Sequence, residues 1–148
     1  MLRYSIRTKE QLSRVGGVMT EDFGKLLLRL GLGGLLLFHG VHKLLNGLEP
    51  IKSALAAHNI SDAVAYGVYL GELVAPILII IGLFSRIGGL LIALNMIVAV
   101  LLMRMADIAV LSPGGGYALE TELLYLVAAL SVVLLGAGRF SIRNGSWN

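Results

Sequence analysis

Few residues in this 148-residue sequence could do chemistry, and they are concentrated. The stretch LLLRLGLGGLLLFHGVHKLL, residues 26–45, sets Arg29, His39, His42 and Lys43 among leucines and glycines. Tyr66, Tyr69 and Glu72 follow at helical spacing, then Asn95, Arg104, Glu120, Glu122 and Tyr125. Carboxylates and imidazoles can carry protons, and cations, amides and phenols can hold a polar head group. His39 and His42, three apart, could in principle ligate a metal, but a catalytic site usually needs three protein ligands and no clear third is present, so no metal site is assigned. Cysteine is absent, which removes thiolate nucleophiles, disulfide exchange, cysteine-held iron–sulfur clusters and covalently attached haem. Any redox centre must therefore belong to a ligand or a partner. No nucleophile–base–orienter set or phosphate-binding glycine loop occurs, so self-contained hydrolysis or phosphoryl transfer is not expected and no catalytic residue is assigned. An anionic ligand held between Arg29 and Arg104 stays open.

The elements that must position these groups are read from the apolar runs. The chain is 57% hydrophobic and 14% charged, too apolar for an ordinary soluble domain. A membrane helix needs about 20 mostly apolar residues to cross a hydrocarbon core about 30 Å thick. Four segments meet that length, 26–46, 64–84, 87–105 and 117–137, and their unalternating runs predict helices rather than barrel strands. The expected fold is all-α, an integral membrane four-helix bundle over residues 24–142. Residues 1–23 form a basic arm without the apolar centre of a cleavable signal, expected to be loose or interfacial, and 143–148 form a short tail.

Charge sets the orientation. Arg3, Arg7, Lys9, Arg14, Lys25, Arg86, Arg139 and Arg143 flank one side of the spans, while Lys43, Lys52 and Arg104 lie toward the other. Under the positive-inside rule this bias places both termini in the cytoplasm of a bacterial inner membrane. The same distribution gives the net charge of +3 a topological role, and no nucleic-acid partner is expected.

With each span's midpoint taken as the bilayer centre, a rise of about 1.5 Å per residue gives depths. Arg29 falls about 10 Å toward the cytoplasm, His39 about 4–5 Å outward, Lys43 about 10 Å outward and Glu72 only about 3 Å outward. Tyr69 lies above Glu72, Asn95 near the middle of the third span, Arg104 near its outer end, and Glu120 and Glu122 about 8–10 Å outward on the fourth. A charge near the bilayer centre costs on the order of 3 kcal/mol, so such residues face the bundle interior in pairs. The expected intramembrane polar cluster, and candidate ligand site, is Arg29, His39, Lys43, Tyr69, Glu72, Asn95, Arg104 and Glu122, around a polar pocket open toward the outer face. Arg29, Leu36 and Lys43, spaced by sevens, share one face of the first span. Glu72 is too deep to reach water and must be paired, protonated or facing a wet cavity. His39, at similar depth, is its expected partner. Arg29 either joins the buried face or snorkels to the inner head groups. Lys43, Arg104 and Glu120 also read as structural ion pairs or topology markers.

Small residues set the close contacts. Ala63, Gly67, Gly71 and Ala75 recur every four residues, and Gly33, Gly40 and Gly47 every seven, which lets helix backbones approach closely, within one chain or in a homodimer. Ser85-Arg86 is read as the whole turn between the second and third spans. The first outer loop, 47–63, holds Pro50 and a weakly amphipathic run long enough for a short surface helix. The second, ADIAVLSPGGG, has the proline and glycines of a turn-rich loop.

These residues resemble the DoxX family of small four-helix bacterial membrane proteins. The resemblance rests on Arg29, His39-Gly40 and Lys43 in the first span, Glu72 in the second, Gly82 and Arg86 at the cytoplasmic turn, and Glu122 with Gly136-x-Gly138-Arg139-x-Ser141 at the end. It covers about residues 24–142. The family includes membrane subunits of a thiosulfate:quinone oxidoreductase, so the resemblance implies a four-helix membrane fold and a link to quinone redox chemistry. Arg143 stands where family members often carry an aspartate, and the basic N-terminal arm is an addition; both touch only the cytoplasmic edge.

Three functions follow as expectations. The first is an accessory membrane subunit of a quinone-linked redox or redox-homeostasis system, with quinone as candidate cofactor and a periplasmic or membrane redox protein as partner. The second is a non-catalytic membrane scaffold whose charged cluster fixes helix register. The third is a small-solute or lipid carrier coupled to protonation of Glu72.

Overall fold

The computed structural model describes the backbone of residues 2–142 and the side chains of residues 17–142. The tail 143–148, with Arg143, lies outside the described residues. All the elements are helical: α1 (Leu2–Asn46), α2 (Glu49–Ala57), α3 (Asp62–Ile81), α4 (Ser85–Met103) and α5 (Glu120–Leu135). Gly17–Asn46 of α1, together with α3 and α4, are long and apolar enough to cross a membrane. At 16 residues, α5 is about 24 Å long, short of a hydrocarbon core about 30 Å thick.

The basic arm, expected to be loose or interfacial, is helical. α1 runs unbroken from Leu2, because no proline interrupts residues 2–23 and the glycine pair Gly16-Gly17 lowers helix propensity without removing a backbone donor. The turn between α3 and α4 falls at Gly82-Leu83-Phe84, and Ser85 and Arg86 already belong to α4. Gly82 sits at φ 72°, the left-handed conformation that lets Leu83 N–H reach back to Leu78 C=O at 2.9 Å and Gly82 N–H to Ile79 C=O at 3.3 Å. These two bonds satisfy two of the last four carbonyls of α3. α5 is shorter than the expected 117–137 span because Tyr117 closes a hairpin with Leu111 at one end and Gly136 takes φ 70° at the other.

α1, α3, α4 and α5 pack in a closed ring, each on the next, with α5 returning to α1; α4 on α5 is the most extensive contact. The core lies on the ring's axis, from Leu32 and Leu36 through Ala75, Ile79, Ile92 and Met96 to Ala129 and Val132. A second small core, Leu48, Leu55 and Ala65, seats α2 across the ring's end nearest Lys43. α2 is amphipathic: Ile51 and Leu55 face inward, while Lys52 and Glu49 pair outward at 2.9 Å. That hydrogen bond holds the Lys52 ammonium above the ordinary lysine range.

Candidate functional site

α3 is built from three kinds of helix. A 3-10 segment at Asp62–Gly67 leads through Val68 and Tyr69 into a π-helical turn at Leu70–Val74, and α-helix resumes at Ala75–Ile81. Pro76 is the local cause. It has no N–H to give the Glu72 carbonyl four residues back, and its ring crowds that carbonyl. The wider turn relieves the crowding, and Ala75 N–H bonds Leu70 C=O five residues back. The released Glu72 carbonyl is directed at α1, where Gly40 makes room: a methyl at Gly40 would collide with that oxygen. Glu72 itself is buried, 4% exposed. Single-turn π-bulges of this kind recur at functional sites.

The Glu72 carboxylate is held from two sides. Lys43 Nζ donates to both Oε1 and Oε2 at 2.5 Å, and Asn95 Nδ2 of α4 donates to Oε1 at 3.2 Å. Tyr69 OH donates to the Lys43 carbonyl at 3.4 Å, tying the end of α1 to α3. Gly71 lies flat against Asn95, whose side chain occupies the place a methyl would take. Three helices therefore meet at one compensated ion pair.

Lys43, rather than the expected His39, is the partner of Glu72. Helical side chains lean toward the N-terminus, so the long lysine one turn above reaches down to the carboxylate. His39 is rotated around the cylinder, exposed, with its ring edge-on to Tyr125 at 6.1 Å between centroids.

Arg104 forms a separate group at the end of α4. It donates to Asp107 at 2.5 Å, to Glu122 at 3.1 Å and to the Ala118 carbonyl at 2.8 Å, joining α4, the loop hairpin and the start of α5. Gly116 returns its carbonyl to Ser112 N–H at 2.7 Å, and Tyr117 OH donates to the Ile108 carbonyl. The loop's glycines thus build a hydrogen-bonded hairpin.

Arg29 does not join the cluster. It lies 14 residues before Lys43, about 21 Å down the same helix face, and is 1% exposed, so it does not snorkel. Its guanidinium donates to the carbonyls of Ile79 at 2.7 Å, Ile80 at 3.1 Å and Phe140 at 2.8 Å, and to Ala137. It caps the C-terminal ends of α3 and α5 together. A residue that sequence reasoning missed completes this clamp: Asp22, on the same face two turns earlier, accepts from Arg139 N–H at 3.1 Å. The spacing Asp22, Lys25, Arg29 was its available signal. The Gly136-x-Gly138-Arg139-x-Ser141 run is what Asp22 and Arg29 grip, one through its N–H and the other through its carbonyls.

Beside the Lys43–Glu72 pair, between α2, the upper half of α3 and α4, lies a cavity of about 290 Å³. Its walls are apolar, among them Leu55, Val68, Leu91 and Val98, and its polar lining is Lys43, Glu72 and Asn95. The expected polar pocket is thus a greasy chamber with a polar end. The polar end exists because the pair cannot face lipid, and the apolar walls because α3 and α4 are lipid-facing helices whose shared groove the small residues Gly67 and Ala99 leave open.

The DoxX family model matches residues 24–105 of the chain, more than half of its length. A curated relative, "Putative oxidoreductase CatD" of Bacillus subtilis (strain 168), is 29% identical over 116 residues, covering 78% of this chain and 81% of that protein. No solved structure matches.

Proposed function

This chain belongs to the DoxX family, and from that premise we propose that it is an accessory membrane subunit of a quinone-linked redox system, with the quinone head group held in the cavity beside Lys43, Glu72 and Asn95. In this reading the protein lies in the bacterial inner membrane with both termini in the cytoplasm and α5 as the fourth span, lengthened by the flanking apolar residues. The Lys43 end then faces the periplasm, where a redox partner docks. The name of the Bacillus subtilis relative supports the redox assignment.

One observation carries the reading: an apolar chamber of about 290 Å³ ends on three polar side chains within a membrane helix bundle. That size is at the lower limit of small-molecule sites and suits one ring. A bound quinone would supply two-electron carbonyl–diol chemistry. The chain would supply the orientation. Lys43 uses two of its three N–H groups on Glu72, and Asn95 one of its two, which leaves a donor on each. Glu72 keeps acceptor capacity for a diol proton. A site with both donors and acceptors can hold the oxidised and the reduced head group alike, and Glu72 is the proton acceptor nearest to it.

The test is equilibrium binding of a short-chain benzoquinone to the purified protein in lipid nanodiscs. Saturable binding that is lost in Glu72→Gln is expected. Binding of equal strength in Glu72→Gln and His39→Ala would remove the support for this site.

A further inference from the structure

We infer that the cavity is filled sideways from the hydrocarbon, between α3 and α4, and that its ligand is a bilayer-dissolved amphiphile with one uncharged ring as head and its chain trailing into the lipid. This rests on the functional reading above and adds the route and the ligand's shape.

The cavity's boundary differs from side to side. Toward the end of the bundle α2 covers it: Leu55 is 0% exposed and Ala65 2%, with Ile51, Val68, Tyr69 and Leu102 packed into the same small core. Laterally, the lining residues are open. Val64 and Leu70 on α3 are each 54% exposed, and Leu94, Val98 and Met103 on α4 are 58%, 40% and 47%, all of them cavity-lining. Leu94 is in the middle of α4, a helix long and apolar enough to span the membrane. Side chains there meet acyl chains, so the α3–α4 side of the cavity, with Leu70 and Leu94 on it, faces lipid.

The electrostatics select the head group. Lys43 and Glu72 already neutralise each other at the polar end. A phosphate or carboxylate head would bring an uncompensated charge into a low-dielectric chamber, which costs several kcal/mol, so phospholipids and fatty acids are excluded. An uncharged ring meets the spare N–H donors without that cost, and a chamber of about 290 Å³ has no room for both ring and chain. The chain must leave through the α3–α4 side.

The experiment obstructs that side with Leu94→Trp and, separately, Leu70→Trp, at lipid-exposed positions where added bulk leaves the core untouched. Affinities of two uncharged probes are measured in nanodiscs: a benzoquinone bearing a decyl chain and the same ring bearing only methyl groups. Each tryptophan is expected to weaken the decyl probe about tenfold or more while the methyl probe changes by less than about twofold, a difference of at least about 1 kcal/mol specific to the chain. Equal affinities of the decyl probe in wild type and both variants would overturn lateral passage and leave the quinone reading standing. A parallel loss of both probes would also overturn it, since the tryptophan would then be filling the chamber and not its opening. Tighter binding of decanoate than of the decyl benzoquinone would overturn the uncharged head. If neither ring binds the wild-type protein, the functional reading itself fails.

Discussion

Lys43 and Glu72 come from helices 29 residues apart, and each makes the other tolerable in the membrane. Removing one partner leaves a charge with no compensation, whereas removing both leaves only a packing change. Lys43→Met is therefore expected to lower stability by on the order of 3 kcal/mol, and the double variant Lys43→Met, Glu72→Met to recover most of it. Thermal unfolding in mild detergent reads both; a double variant no more stable than the single one would mean that the pair does not carry this energy. Arg29 depends on shape more than on charge. Its guanidinium forks to four carbonyls on two chain segments, a geometry that an ammonium cannot reproduce. Arg29→Lys should cost about 2 kcal/mol, since a hydrogen bond to a charged group contributes about 1.5–3 kcal/mol. Because the carbonyls belong to the ends of α3 and α5, the loss should show as faster hydrogen exchange in residues 136–142, with the Lys43 end protected as before.

At the scale of elements, the decisive feature is the irregular α3. Pro76 forces a π turn, the turn displaces the Glu72 carbonyl, and Gly40 on α1 accommodates it. The clash at Gly40 would be with backbone, which cannot swing away, so Gly40→Ala should cost about 1–3 kcal/mol as an overpacking change. Gly31 on the same helix faces open space, and Gly31→Ala should be neutral or stabilising by up to about 1 kcal/mol through helix propensity. Comparing the two melting temperatures separates packing from propensity, and equal effects would refute the π-turn account. The regular four-residue and seven-residue spacings of small side chains point to close approach, and Gly40, Gly71 and Ala75 do pack. Gly47, by contrast, takes φ 87° just beyond α1, and Gly67 lines the cavity. Periodicity marks a face. It does not say which part of the face a neighbouring helix covers.

At the scale of the molecule, the absence of cysteine gives a clean background for mapping orientation. A maleimide that cannot cross membranes should label Ser53→Cys on α2 in intact spheroplasts and reach Glu21→Cys only after permeabilisation, if the termini are cytoplasmic as the charge bias predicts. The reverse pattern would invert the proposed topology and place the Lys43 end, with its redox partner, on the cytoplasmic side.

Membrane residence, helical class and the approximate bounds of three spans were legible in the chain, because hydropathy and length act locally and hydrocarbon leaves few ways to satisfy a backbone. The order of Lys43, Glu72, Asn95 and Arg104 along their helices was legible too, since it follows from the rise per residue along a single helix. Which groups meet was not. His39 and Lys43 differ by one turn and about 40°, and only the arrangement of α1 against α3 and α5 decides that lysine faces the carboxylate and histidine the tyrosine. The same holds for Arg29, whose carbonyl partners have no side-chain signature, and for the cavity, which is a space between helices and belongs to no residue's sequence context.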